Sequence, residues 1–202
     1  GMTECSPLVT GAALEETRRG SCGYPVRRGE VRVAEPDRRT GVGEVEVRGP
    51  MVTRGYFKNV DATAALFTPD GWLRTGDLGL LDRDGFLHLK GRSKNVLLGA
   101  SGENVYPEET EQLLNASPLV LESLVVMRDG RLHALVVPDY DTIGNELGTF
   151  KLPEDEARRR VDGAFAELLR EINGQLPAYA RLASFRLLDQ EFEKTPTQKI
   201  KR

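Results

Sequence analysis

The stretch TPTQKIKR, residues 195–202, sets Lys199, Lys201 and Arg202 around a single isoleucine. A lysine ammonium is a compact point charge, suited to gathering phosphate or carboxylate oxygens. Thr195-Pro196 stiffens the approach to Lys199, because proline fixes its own φ and drives the preceding residue toward extended geometry. Taken alone, a basic segment of this kind is solvated and mobile. It acquires chemistry only if other residues hold the anion that it would meet.

Three stretches offer such residues. In GWLRTGDLG (71–79), Gly76 and Gly79 flank Asp77 beside Trp72, which predicts a tight loop holding a short carboxylate close to backbone. Such a carboxylate can accept two hydrogen bonds from a ribose diol, and it can equally be an ordinary turn residue. GRSKN (91–95) spaces Arg92 and Lys94 two apart, so an extended backbone turns both toward one face. They could meet phosphate or ribose oxygens there, or simply end a strand in solvent. GASGENVYP (99–107) has glycines enough to let a backbone approach a ligand, or to close a plain hairpin.

Other features carry no chemistry. GVG (41–43) precedes a strand and is too short for a phosphate fingerprint. DRDG (82–85) lacks the remaining ligands of a calcium loop. Cys5 and Cys22 have no close pairing, and with only His88 and His133 beside them a Cys/His metal site is not expected.

The elements that must position these residues change character along the chain. GEVEVRGP (43–50) alternates Val45 and Val47 with charged residues, the period of a half-buried strand. NVDATAALF (59–67) predicts a short helix capped by Asn59 or Asp61. LGLLDRDGFLHLKGR (78–92) predicts a hairpin around Asp84-Gly85. Beyond Arg92, Pro107 and the glutamates after it mark a helix start that runs to about Asn115. LESLVVMRDGRLHALVVP (121–138) predicts a second hairpin around Asp129-Gly130. In 152–177 a stripe of Val161, Phe165, Leu168 and Ile172 predicts a long helix stopped at Asn173-Gly174. ASFRLL (183–188) predicts a last strand, while 35–43 and 138–150 read as exposed loops.

At 202 residues, 39% hydrophobic and 29% charged, the composition is that of a soluble globular protein of one or two domains. The expected division is 1–91 and 92–202. A net charge of -3 with interspersed signs leaves no footprint for nucleic acid, and no apolar run suffices for a transmembrane segment. With no leader evident, a cytoplasmic location follows by default, peripheral association with a membrane being the variant kept open.

Together these stretches resemble the adenylate-forming (AMP-binding) superfamily of acyl-CoA synthetases, luciferases and peptide-synthetase adenylation domains. GMTECSP (1–7) is similar to the family's Tyr-Gly-x-Thr-Glu segment without its Tyr. Residues 43–67, GWLRTGDLG, GRSKNVLLGASGENVYPEETE (91–111), LPAYARLASF (176–185) and KTPTQKIKR (194–202) follow in family order. LLGASGENVYPEE with EFEKTPTQKIKR is most similar to bacterial long-chain fatty acid-CoA ligases. Gln198 stands where the family commonly has Gly, and Leu98 where some relatives place a basic residue.

The resemblance implies an α+β fold: a small distorted β-barrel subdomain, then a mobile α+β C-terminal domain with a small mixed sheet and flanking helices. It implies the C-terminal portion of an enzyme that joins a fatty acid to CoA, with ATP giving AMP and pyrophosphate. Thr3, Asp77 and Arg92 would bind nucleotide, Glu4 would meet Mg2+ accompanying ATP, and Lys199 would be catalytic. Lys94 would be the hinge, and Gly99, Ala100, Ser101, Gly102, Glu103 and Asn104 would form a loop facing the thiol of CoA. The ATP phosphate loop and acyl pocket belong to an N-terminal portion outside this sequence, so the chain alone is expected to be inactive. The surface that portion would cover is expected to favour self-association. The alternatives are a truncated binding module, a split-enzyme subunit, or a ligase for aryl, medium-chain or amino acids.

Overall fold

A computed structural model describes residues 1–99, 102–196 and 199–202. The chain divides into two units, Gly1–Asn95 and Val96–Arg202.

In the first unit, a helical turn at Thr3–Cys5 precedes β1 (Thr10–Gly11), which pairs with β2 (Tyr24–Pro25). Strands β3 (Glu30–Ala34), β4 (Gly43–Arg48), β5 (Leu73–Leu81) and β6 (Leu87–Arg92) then form an antiparallel sheet in chain order. The valine alternation is real: Val45 and Val47 are buried, and Val47 joins Cys5, Val9 and Leu73 in a core cluster. Glu46 is buried as well, against the expectation of a solvated face. Its cross-strand partner Arg32 neutralises it at 2.6 Å, and Arg32 and Arg48 both lie over the Trp72 ring. Helix α1 (Val60–Leu66) is capped by Asn59, whose side-chain oxygen accepts the Ala62 amide at 3.0 Å.

Among the described residues no pairing closes this sheet into the expected barrel. The outer edge of β6 is occupied instead by the segment leading into β2: Cys22 donates to the Leu87 carbonyl at 2.7 Å, and Leu87 donates to that of Gly23 at 3.0 Å. The 71–79 stretch also differs from the expected tight loop. From Leu73 onward it is strand β5, and Gly76, at φ 70°, is accommodated inside the strand, where the registers with β4 and β6 both shift nearby. At the β5–β6 turn, Asp82 accepts the amides of Asp84 and Phe86, and Gly85 alone of the Asp84-Gly85 pair takes a positive φ.

The second unit opens with β7 (Leu97–Leu98) and β8 (Asn104–Val105), an antiparallel pair, and then α2 (Pro107–Asn115), with proline at its start. Strands β9 (Val120–Arg128) and β10 (Arg131–Pro138) turn through Asp129 and Gly130, both at positive φ as a tight hairpin requires. Helix α3 (Tyr140–Glu146) occupies what the sequence marks as a loop. Asp139 caps it by accepting the Thr142 amide at 2.9 Å, and Ile143 anchors it in the core. Helix α4 (Glu154–Gln175) buries Phe165, Leu168 and Ile172, and β11 (Leu182–Leu187) pairs parallel with β10. The result is a mixed sheet in the order β11-β10-β9.

The helix α4 runs through Asn173-Gly174 rather than stopping there. The Asn173 side chain is committed to Leu182, accepting its amide at 2.8 Å and donating to its carbonyl at 2.9 Å, so it ties α4 to β11. Leu176 caps the helix end and Pro177 follows it. Among the described residues, no helix is long and apolar enough to cross a membrane.

Candidate functional site

In the first unit, Asp77 and Arg92 are direct partners on β5 and β6. The Arg92 Nε lies 2.9 Å from Asp77 Oδ1, and its Nη1 donates to the Thr75 carbonyl at 3.0 Å. Thr75 organises the group: its hydroxyl donates to the Val45 carbonyl at 2.7 Å and accepts the Asp77 amide at 3.0 Å. Thr75 and Asp77 stand two apart on one strand and so line the same small cleft, with Met2, Thr10 and Cys22 among the other walls. Arg92 orients the carboxylate without burying it, as both side chains remain partly exposed.

Thr3 and Glu4 sit in the opening helical turn, where Glu4 Oε1 accepts the Tyr56 hydroxyl at 2.8 Å. This bond raises the Tyr56 pKa, with burial adding to it. Among the described residues no cluster of three His, Cys, Asp or Glu side chains gathers as a self-sufficient metal cage. One oriented carboxylate nevertheless fits Mg2+, which commonly takes one or two protein carboxylates and completes its shell with phosphate and water.

Lys94 is exposed in a helical turn at Ser93–Asn95. Ser93 donates to the Gly76 carbonyl at 3.2 Å, tying that turn to the bend beside Asp77.

In the second unit, the loop between β7 and β8 is closed by Gly99 donating to the Glu103 carbonyl at 2.8 Å, with Gly102 at φ 87°. Asn104 is exposed at the start of β8. Ala100 and Ser101 lie outside the described residues. Gly99 and Glu103 share an open cleft with Arg131, Tyr179 and Arg181, and the buried Glu103 Oε2 has no hydrogen-bond partner among the described residues.

Lys199 lies on a stretch whose backbone pairs with residues 193–195. Thr195 donates to the Lys199 carbonyl at 2.8 Å, Lys201 donates to that of Glu193 at 2.8 Å, and Lys194 bridges Ile200. Lys194 Nζ approaches Glu122 at 2.6 Å, and Arg202 pairs with Glu111. Lys199 is exposed, and among the described residues its ammonium has no ion-pair partner. Glu111 is held on the buried face of α2, accepting the Val125 amide at 2.7 Å; burial pushes its carboxyl above the usual range, despite that bond and the opposing Arg202.

Sequence reasoning marked Asp77, Arg92 and Lys199 but not Thr75, Tyr56, Glu111 or Glu122. Thr75 was detectable in principle through its two-residue spacing from Asp77. The other three act across long sequence separations that no local pattern announces.

The profile described as "AMP-binding enzyme" matches residues 1–57. Long-chain-fatty-acid–CoA ligase FadD15 of Mycobacterium bovis is 33% identical, over 100% of this chain and 34% of its own length. The 2-succinylbenzoate–CoA ligase of Bacillus cytotoxicus is 41% identical over 62% of this chain and 27% of its own. O-succinylbenzoate Coenzyme A synthetase (MenE) from Bacillus subtilis, solved with AMP, superposes with a TM-score of 0.76 at 30% identity, covering 99% of this chain and 38% of that one. The same enzyme solved with ATP and magnesium ion gives 0.75 at 29% identity, over 99% and 39%. The chain thus spans about a third of the length of the FadD15 ligase that it matches from end to end.

Proposed function

This chain belongs to the family of AMP-forming acid–thiol ligases, and from that premise we propose that it is the C-terminal portion of an ATP-dependent acyl-CoA synthetase. The reaction has two halves. An acid carboxylate attacks the α-phosphorus of ATP, forming an acyl–phosphate bond as the bond to the departing pyrophosphate breaks. A CoA sulfur then attacks the acyl carbon, losing its proton, and AMP leaves with the former acyl oxygen.

The observation that carries this reading is the Asp77–Arg92 pair beside its cleft. Arg92 orients the carboxylate at the cleft, and a carboxylate is the acceptor that a ribose diol's hydroxyls require. Thr3 is assigned to the nucleotide phosphate and Glu4 to Mg2+, which supplies charge neutralisation at the phosphates when bound. Lys199, whose ammonium has no ion-pair partner among the described residues, is assigned to the negative charge that concentrates around the α-phosphate as the bond forms. Rotation at Lys94 would withdraw Lys199 and bring the 99–104 loop to the thiol, and the arginine-bearing cleft beside Gly99 and Glu103 supports an anionic, CoA-like ligand there.

Exposed Phe57 and Val60, which line one open groove with Tyr56, support a face that the rest of the ligase covers. A long-chain fatty acid is the first assignment for the acid. The likeness to succinylbenzoate ligases favours an aryl acid as the second.

The test measures pyrophosphate, AMP and thioester for the chain alone and for the chain joined in frame to the remaining portion of a full-length relative, with fatty and succinylbenzoic acids. The joined protein turns over and the chain alone does not. Turnover by the chain alone, or a folded but inactive joined protein, would count against this function.

A further inference from the structure

We propose that Glu111 and Glu122 are positioning residues for Lys199, clamping the paired stretches 193–196 and 199–202 at Lys194 and at Arg202 so that the ammonium projects from a held backbone. The proposal rests on the role given to Lys199 above. Ordering backbone residues costs conformational entropy that contacts must offset. Among the described residues, Thr195 bonded to Lys199 and Lys201 bonded to Glu193 are a meagre return for holding these stretches in place.

The two ion pairs supply what the ladder lacks. Lys194 meets Glu122 at 2.6 Å with both side chains about four-fifths buried, at 22% and 18% exposure, and it also meets Glu191 at 2.8 Å. Glu122 sits on β9, so this clamp reaches the central hairpin of the unit. On the other side Arg202 pairs with Glu111 and lies 3.8 Å from Glu108, both on α2. Glu111 is itself fixed, because its other oxygen accepts the Val125 amide of β9. Both carboxylates therefore report to the same β9–α2 body, and Lys199 falls between the two clamped cations.

The choice of partners is selective. Lys194, Lys201 and Arg202 each have a carboxylate, whereas Lys199, set among them, is left without an ion-pair partner among the described residues. Neighbouring cations would otherwise compete with Lys199 for an incoming anion. Pairing them internally leaves the Lys199 ammonium available.

The clamp is tested on the 202-residue chain by amide exchange and side-chain NMR. Arg202→Ala removes one anchor at the surface without opening the core, and Glu122→Gln removes the charge of the other. Each speeds exchange of the Thr195 and Lys201 amides about fivefold, the scale of a partly exposed charge pair. The Lys199 side-chain methylene resonances collapse toward free-lysine positions, and β9–β10 protection stays intact. Arg202→Lys keeps the charge and restores part of the protection. Unchanged exchange and resonances in both variants would overturn the proposal, as would equal loss of protection throughout β9 and β10, which would make these pairs general supports of the fold. Neither readout needs nucleotide or turnover, so failure of the clamp is separable from failure of the assigned chemistry of Lys199.

Discussion

Arg92 reaches across from β6 to hold Asp77 on β5, its Nε 2.9 Å from the carboxylate, while Nη1 grips the carbonyl of Thr75. A cross-strand ion pair this exposed contributes at most about 1 kcal/mol to stability. Its value lies in orientation. Asp77→Ala is therefore expected to change the urea stability of the first unit by less than about 1 kcal/mol, read from Trp72 fluorescence. In the joined ligase, losing charge-assisted bonds to ribose costs roughly 1.5–3 kcal/mol each, so calorimetry should show nucleotide affinity falling at least tenfold. A large stability loss with unchanged affinity would assign Asp77 to the fold.

Trp72 is the sole tryptophan and is 7% exposed, with the Arg32 and Arg48 guanidinium carbons each 4.4 Å from its ring centroid. Removing it leaves a cavity and frees two cations that also serve Glu46 and Glu30. Trp72→Ala should cost about 3–5 kcal/mol, measured by urea unfolding with circular dichroism. Trp72→Phe keeps an aromatic face for both arginines and should lose less.

Local signals in the sequence hold where one residue dictates its own backbone. Asn59 caps α1, Pro107 starts α2, and Asp129-Gly130 turns the second hairpin, each through chemistry confined to a few neighbours. They give way where tertiary partners decide. Gly76 and Gly79 looked like a loop because a glycine pair usually breaks a strand, yet pairing with β4 and β6 keeps β5 continuous. Asn173-Gly174 looked like a helix stop, but Leu182 consumes the Asn173 amide and the helix continues. The same limit applies to the site. Asp77 and Lys199 stand out as residue types, whereas Glu111 and Glu122 matter through partners far along the chain.

Asp70 and Glu111 should give the two units opposite responses to acid. Asp70 is lowered from 3.8 to about 2, chiefly by hydrogen bonding from Arg32. The unfolded chain binds the proton first on acidification, so this contribution is present above pH 3.8 and is lost as pH falls through about 2. Glu111 is shifted upward from 4.5 by burial. The folded form then binds the proton first, so the second unit gains stability from this group as pH falls through the raised value toward 4.5, and loses it as pH rises. Trp72 fluorescence follows the first unit, and exchange of β10 amides follows the second. Asp70→Asn should remove the acid loss, and Glu111→Gln should flatten the opposing slope; matching slopes in wild type and variants would refute the assignments.

Lys199 supplies the sharpest functional expectation. Its ammonium has no ion-pair partner among the described residues, so Lys199→Ala should leave amide protection of the second unit unchanged. In the joined ligase, one well-placed charge on a developing anion is worth roughly 3–4 kcal/mol, so pyrophosphate release should fall by about 10²–10³. Thioester formation from supplied acyl-adenylate should hold, because the α-phosphate bond is already made in that substrate. Lys94→Pro should do the reverse. Lys94 occupies an exposed helical turn, and fixing φ there opposes rotation without touching the nucleotide carboxylate, so adenylation persists while thioester formation slows. Equal losses in both steps for either variant would remove that residue from its assigned half of the reaction, since an effect on folding or nucleotide binding depresses both alike.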